Sequence, residues 1–202
     1  PSFTLGTAPV TPLMMASAVS VFANHGTHCP TVVITEIMTR DGEEIPLSKN
    51  VCNSVVDPGT ADTAALMLTN VIDGGIEGRT GARMTLGREA GGKTGTTNDS
   101  AAVWFVGFTP EISAAVWVGD PRGGYKYPMK NITINGKKYK QVFGSSLPGP
   151  IWKEALLGAL ADSPATSLEL QPSWALTDKG IAPTFVPLPF DPNAVVAPVP
   201  AE

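Results

Sequence analysis

The chain has 202 residues, 43% hydrophobic and 16% charged, with a formal net charge of −4. That balance suits a soluble globular domain, or part of one, with enough apolar material for a sizeable core. It excludes a broadly basic nucleic-acid binder, and no apolar run reaches the roughly 18 residues a membrane helix needs. No signal peptide opens the chain, which starts at Pro1 and reads as a portion of a longer protein.

Residues 1–26 predict a loop and then a helix. Thr11 suits the N-cap, Pro12 the first helical position and Gly26 the stop. Leu13, Ala16, Val19 or Ser20, and Ala23 would form the inner face, with Met14, Val21 and Phe22 beside it, giving a mostly buried helix whose methionines fill core. Residues 30–47 predict a hairpin: Thr31–Ile37 is rich in β-branched residues, and Asp41-Gly42 marks the turn. Cys29 and Cys52, the only cysteines, flank it. They could bridge or remain buried thiols. His25 and His28 nearby lack the paired Cys/His spacing of a closed zinc site. Asp57-Pro58 opens a second helix with an apolar stripe at Ala61, Ala64 or Ala65, Leu68, and Val71 or Ile72. Gly74-Gly75 ends it. Residues 75–90 form a loop whose Arg79, Arg83 and Arg88 could collect acidic partners but are expected in solvent.

Gly91-Gly92-Lys93-Thr94-Gly95-Thr96-Thr97 is the stretch with the most chemistry. As a strand it would point Thr94 and Thr96 the same way, lining two hydroxyls and an ammonium along an edge. The glycines before Lys93 would admit a ligand or a second backbone. Gly87 to Thr94 also fits G-x-x-x-x-G-K-[ST], the spacing of a nucleotide-binding loop, with Asp120 as a possible magnesium-holding acid. That reading needs a buried strand before it and a helix after it. The sequence offers neither, since Gly95–Asp99 are poor helix formers. An ordinary Gly-rich edge strand is a third possibility.

Lys-Thr-Gly is also one element of the set Ser-x-x-Lys, Ser-x-Asn, Lys-Thr-Gly used by penicillin-recognising serine enzymes. The surroundings strengthen that reading. Gly92 to Asp99, Trp104-Phe105-Val106-Gly107-Phe108-Thr109-Pro110 and Val116-Trp117-Val118-Gly119 resemble the transpeptidase domain of class A penicillin-binding proteins. Thr11 to Ala16, Phe22 to Gly26 and Pro148 to Trp152 do too, in order over about residues 1–160. The family places an acid two residues ahead of the Trp-Phe pair; here that position is Ala102.

Further along, Ala101–Thr109 and Ile112–Gly119 predict two strands joined at Pro110-Glu111, in a sheet covered on at least one face. Residues 120–147 look like a lineage-specific insertion. Within it Asn135-Gly136 turns a hairpin made basic by Lys130, Lys137, Lys138 and Lys140, with a solvated face expected and contact with anionic wall polymer or lipid headgroups as the alternative. Asn131-Ile132-Thr133 would be a glycosylation acceptor only in a eukaryotic secretory setting. Residues from Pro150 to Leu160 predict the last helix, with Ile151, Ala155, Leu156 and Ala159 inward. Residues 163–182 would pack loosely through Leu168, Leu170 and Trp174, and 183–202 would be an extended Pro-rich tail.

The resemblance implies an α+β fold, an antiparallel sheet flanked by helices like that of serine β-lactamases and penicillin-binding transpeptidases, incomplete at its N-terminal side. Residues 1–162 would be the C-terminal part of the transpeptidase domain and 163–202 an extension. It implies a peptidoglycan D,D-transpeptidase that needs no cofactor or metal, takes D-Ala-D-Ala stem peptides, and is a target of β-lactams. It would work at the extracytoplasmic face of the membrane, held there by a preceding anchor. Lys93 would be the cation beside the Ser-x-Asn serine, Thr94 and Thr96 would meet the substrate carboxylate, Thr96 would give an oxyanion donor, and Gly95 would keep the strand open. It also implies a Cys29–Cys52 disulfide, as exported proteins keep such bridges. Ser48-Lys49-Asn50 has the Ser-x-Asn spacing but falls where the family has a connecting loop. No Ser-x-x-Lys occurs in these 202 residues, so the chain is expected to be inactive alone and to join an N-terminal remainder carrying the nucleophile. A serine β-lactamase or carboxypeptidase relative, a nucleotide-binding module and a non-catalytic wall-binding module are the alternatives.

Overall fold

The computed structural model describes residues 6, 8–47, 51–75 and 77–173, with the backbone of 176–177 and 180–181. The expectations for Ser48–Asn50, for Trp174 and for the tail 183–202 lie outside the described residues.

The first helix, α1, spans Pro12–Ala23, and its N-cap Thr11 hydroxyl accepts the Met14 N–H. It is less buried than its composition suggests. Val19 and Val21 are buried, and Met15, Phe22 and Ala23 pack beside Val19, but Leu13 and Met14 are more than half exposed. The contact face runs through 15, 19, 22 and 23, a step round the helix from the predicted one. Gly26, in the left-handed region at φ +84°, does more than stop the helix. Its carbonyl accepts the N–H groups of Val55 and Val56, and a Cβ there would collide with the Val56 carbonyl. Beside it the short strands β1 (Thr27–His28) and β2 (Asn53–Ser54) pair antiparallel, and Cys29 and Cys52 form a disulfide.

The loop inside that bridge keeps the predicted turn but not the predicted strand. Thr39 N–H donates to the Glu43 carbonyl and Ile45 N–H to the Ile37 carbonyl, around Asp41-Gly42. Thr31–Ile37 forms no strand, and Val33 is 88% exposed. β-Branched residues favour a pleated surface only where a neighbouring surface covers them; among the described residues none covers this stretch.

The second helix, α2, is Pro58–Asp73, capped by Asp57, whose carboxylate accepts the Thr60 N–H. Ala61, Ala65 and Ile72 are buried along the predicted stripe. Then β3 (Gly91–Thr96), β4 (Ala102–Phe108) and β5 (Ser113–Gly119) make an antiparallel sheet in that order. α1 and α2 pack on one face, where Val19, Ala65, Val106, Phe108 and Leu168 are buried together. The last helix, α3 (Pro148–Ala159), covers the other face with Trp152, Leu156 and, just past its end, Leu160, over Phe105 and Met84. Covering both faces explains the near-continuous apolar runs of β4 and β5. The inner face of α3 differs from the predicted one: Ile151, Ala155 and Ala159 are exposed. Trp152 sets the phase, because its large ring must be buried, and it meets Phe105 at 5.0 Å between centroids.

Between β5 and α3, β6 (Lys130–Ile134) and β7 (Lys137–Gln141) form the expected hairpin. Asn135 and Gly136 both have positive φ, as its two-residue turn requires. Its face is not simply solvated. Ile132, Ile134 and Tyr139 pack on buried Val103, Met129 and Val142, and Lys130 pairs with Asp99 at 2.7 Å.

Arg88 is not the solvated loop arginine expected. Its guanidinium donates to the carbonyls of Leu160, Ser163 and Pro164 and lies 3.4 Å from the Glu111 carboxylate. Glu111 in turn accepts the Thr166 hydroxyl and N–H, and Glu89 accepts the Leu168 N–H. These bonds seat residues 163–168 against the sheet turn and bury Leu168.

Two measurements check this account. Partial burial pushes the Glu111 carboxyl up, but the Thr166 and Thr109 hydroxyls and the Thr166 and Glu111 N–H groups outweigh it and hold it down at about 2. A carboxyl lowered in the fold stabilises above its ordinary range and loses that contribution as pH falls toward 2. Glu111→Gln should cost roughly 1–3 kcal/mol at neutral pH, a gap that closes in acid unfolding titrations. Reduction of the disulfide, or Cys52→Ser, should lower stability by roughly 2–4 kcal/mol. Thiol titration without reductant should find no free thiol.

Candidate active site

The edge strand β3 carries the Lys-Thr-Gly stretch. It pairs on one side only, with Lys93 opposite Val106, Thr94 opposite Phe105, Gly95 opposite Trp104 and Thr96 opposite Val103. Among the described residues, no strand occupies its other edge. The period of two puts Thr94 and Thr96 on the α3 face with Phe105, and Lys93 and Gly95 on the α1–α2 face with Trp104 and Val106. The hydroxyls and the ammonium therefore flank the open edge from opposite faces and do not form one rail. The Thr97 N–H is spent on the Ala102 carbonyl at 3.0 Å. Since peptide groups alternate along an antiparallel strand, the Thr96 N–H points out of the open edge. The Thr94 carbonyl sits on the same side, and the exposed Lys93 Nζ donates to it at 2.9 Å.

The strand's glycines serve packing more than access. A Cβ on Gly92 would lie 2.9 Å from the Phe105 ring, one on Gly91 would strike the Phe108 ring, and one on Gly95 would press Trp104 Cβ at 3.1 Å. Beyond Thr96, Asn98–Ser100 make a single 3-10 turn with Asp99 and Ser100 at positive φ. No helix starts at Thr94, so the nucleotide-loop reading fails: its lysine and threonine lie inside a strand.

Sequence reasoning missed two neighbours of this edge, Thr80 and Gly144. The Thr94 hydroxyl donates to the Thr80 hydroxyl at 3.2 Å, and the Gly144 N–H donates to the Thr96 hydroxyl at 3.3 Å. Beside Thr80 and Gly144 opens a cavity of about 430 Å³ lined by Arg79, Thr80, Arg83, Ser145 and Ser146, among others. Thr80 lies 14 residues from Thr94 and Gly144 lies 48 from Thr96, distances at which no local pattern signals contact. A larger cavity, about 770 Å³, lies between α2 and residues 167–170 and shares no residue with the strand. The disulfide lies outside this site, at the base of α1. His25 and His28 make separate contacts, His25 Nδ1 with buried Asp62 at 2.8 Å and His28 Nε2 with Ser17 at 3.1 Å.

The family model described as "Penicillin binding protein transpeptidase domain" matches residues 2–131. Penicillin-binding protein 1A of Aquifex aeolicus is 34% identical over 171 residues, covering 85% of this chain and 22% of that protein. The structure of the penicillin-binding protein PonA1 from Mycobacterium tuberculosis superposes with a TM-score of 0.69 at 25% identity, covering 98% of this chain and 50% of that one. PonA1 in complex with penicillin V gives 0.63 at 26% identity, over 82% and 42%. The chain thus spans about a fifth of the length of the curated relative and half or less of these solved chains. The helix–sheet–helix layering is the fold of those transpeptidase domains.

Gly144 tests how the edge is held. A Cβ there would collide with the Trp104 carbonyl and come within 2.9 Å of Thr94 Cβ. Gly144→Ala should destabilise by roughly 1–3 kcal/mol, read as a lower thermal midpoint. Gly158→Ala, a helical position with nothing within 4 Å, should be neutral or stabilising by up to about 1 kcal/mol.

Proposed function

The chain belongs to the penicillin-binding protein transpeptidase family, and on that premise we propose that it supplies the Lys-Thr-Gly half of a serine acyltransferase site that cross-links peptidoglycan. The observation that carries the proposal is the open edge of β3, flanked by two hydroxyls on one face and an ammonium on the other. An extended peptide adds to such an edge through main-chain hydrogen bonds. With its chain along β3, its terminal carboxylate reaches the Thr94 and Thr96 hydroxyls.

The nucleophile comes from outside this chain, which holds no Ser-x-x-Lys spacing. That serine attacks the carbonyl carbon of the D-Ala-D-Ala bond, forming an ester as the terminal D-alanine leaves with a proton on its amine. The amine of a second stem peptide then attacks the ester, makes the cross-link and returns the proton to the serine. During each attack the carbonyl oxygen becomes an oxyanion. The outward Thr96 N–H is one donor to it and the nucleophile's own N–H the other; losing one such donor costs about 10²–10³ in rate. Lys93 stabilises charge beside the Ser-x-Asn serine and aids proton movement. Gly95 keeps its face of the strand clear for substrate. β-Lactams mimic the first substrate and stop at the ester. A disulfide at Cys29–Cys52 fits an extracytoplasmic setting, where such bridges persist. The membrane anchor and the rest of the transpeptidase domain belong to the longer protein.

Fluorescent penicillin separates the parts of this proposal. The 202-residue chain alone should not be labelled covalently, and labelling would overturn the assignment of the nucleophile. In the protein that includes the Ser-x-x-Lys element, Thr94→Val and Thr96→Val should each slow acylation by roughly 10- to 100-fold, the worth of a hydrogen bond to a charged group. Unchanged rates would remove Thr94 and Thr96 from the site.

A further inference from the structure

Residues 121–142 concentrate positive charge in a chain that is acidic overall. They hold Arg122, Lys126, Lys130, Lys137, Lys138 and Lys140 and no aspartate or glutamate, while the whole chain carries 14 basic against 18 acidic side chains. Two of these cations are paired within the fold, Arg122 with Asp120 and Lys130 with Asp99, each at 2.7 Å. Lys126 and Lys137 lie over the rings of Tyr127 and Tyr139. Lys138 and Lys140 are exposed and make no hydrogen bond or ion pair among the described residues.

The hairpin fixes where these two lysines point. Its inner side is committed: Ile132, Ile134 and Tyr139 pack on Val103, Met129 and Val142, and the Gln141 amide donates to the Ser100 hydroxyl. The period of two turns Thr133, Lys138 and Lys140 to the outer side, with Thr133 directly across from Lys138. Along β7 the two lysines stand about 6.6 Å apart, two steps of an extended strand. An anion laid along them relieves their mutual repulsion, which acts inside the Debye length of about 10 Å at 0.1 M salt. The spacing is similar to the repeat of an extended polymer in which three-carbon units join successive phosphates. A bilayer surface fits less well, because segments that lie on one insert apolar side chains beside their charges, and the outer side of this ribbon has none.

We infer that the outer face of the β6–β7 hairpin is a docking surface for a linear phosphodiester polyanion. Successive phosphates seat on Lys138 and Lys140, the Thr133 hydroxyl donates to an oxygen of the phosphate on Lys138, and Lys137 extends the track toward the turn. Each seated phosphate releases counterions, so the attraction is salt-sensitive. The contact tethers the chain to a charged polymer and does not rest on the peptide reading of β3.

The test reads the anisotropy of end-labelled poly(glycerol phosphate) mixed with the 202-residue chain. Affinity should fall as salt rises, with a logarithmic slope of about −2 for three lysines. Lys138→Glu and Lys140→Glu should each weaken binding roughly five- to tenfold. Arg40→Glu makes the same change of net charge at an exposed position outside the hairpin and should stay within about twofold of the unaltered chain. Lys138→Arg and Lys140→Arg should bind as the unaltered chain does. All these side chains are exposed, so the variants keep the fold, and the salt slope needs no variant. Absence of binding at low salt, or an equal loss in Arg40→Glu, would overturn the surface. Tighter binding to phosphatidylglycerol vesicles than to the polymer would give the face to a bilayer and overturn the polymer assignment. Equal competition by hyaluronate, a carboxylate polymer, would overturn the preference for phosphodiesters.

Discussion

An unpaired strand edge is a hazard that most proteins cover, charge or shorten. Here the edge of β3 stays open, and much of the surrounding structure holds it flat and in register. One face rests on Phe105 and Trp152, the other on Val106 and Phe108 beneath α1 and α2. The glycines of the strand let these rings lie against the backbone. The edge is therefore open without being loose, as a template for an extended peptide must be. Its short length and the exposed Lys93 discourage pairing with a second copy.

The same logic explains the polar clasps behind the sheet. Arg88, Glu111 and Thr166 join the loop before β3, the β4–β5 turn and the segment after α3. Three stretches far apart in sequence thus meet at one ion pair with side chains 12% and 19% exposed. A pair that is partly buried and hydrogen-bonded on several sides fixes geometry more than it adds stability. At the far end of β3, Lys130–Asp99 and the Gln141–Ser100 hydrogen bond tie the β6–β7 hairpin to the turn after Thr96. The Lys130 ammonium holds the Asp99 carboxyl below its ordinary value. The hairpin thus braces the end of the strand that presents Thr96.

The proposed function follows from which groups the edge exposes. Side-chain alternation splits the stretch, with the Thr94 and Thr96 hydroxyls on the α3 face, Lys93 on the face toward α1 and α2, and peptide groups between them. A phosphate-binding loop would need its amides converging at a helix start. In β3 they point alternately inward and outward, which suits an extended chain.

Much was legible in the sequence because it depends on neighbours along the chain. Thr11 and Asp57 cap their helices, Asn135-Gly136 turns its hairpin, and the runs flanking Pro110-Glu111 form strands, all through local geometry. That Lys93, Thr94 and Thr96 lie in a strand, with the two threonines on one face, was legible for the same reason, a period of two. Tertiary structure decided the remainder. Thr31–Ile37 has the composition of a strand and no sheet to join among the described residues, while α3 turns on its axis to bury Trp152 instead of Ile151. Arg88 leaves solvent for Glu111, and Thr80 and Gly144 reach β3 from outside any local pattern. Such contacts depend on how helices and sheet stack, and burial against a distant surface overrides the propensity of a short segment.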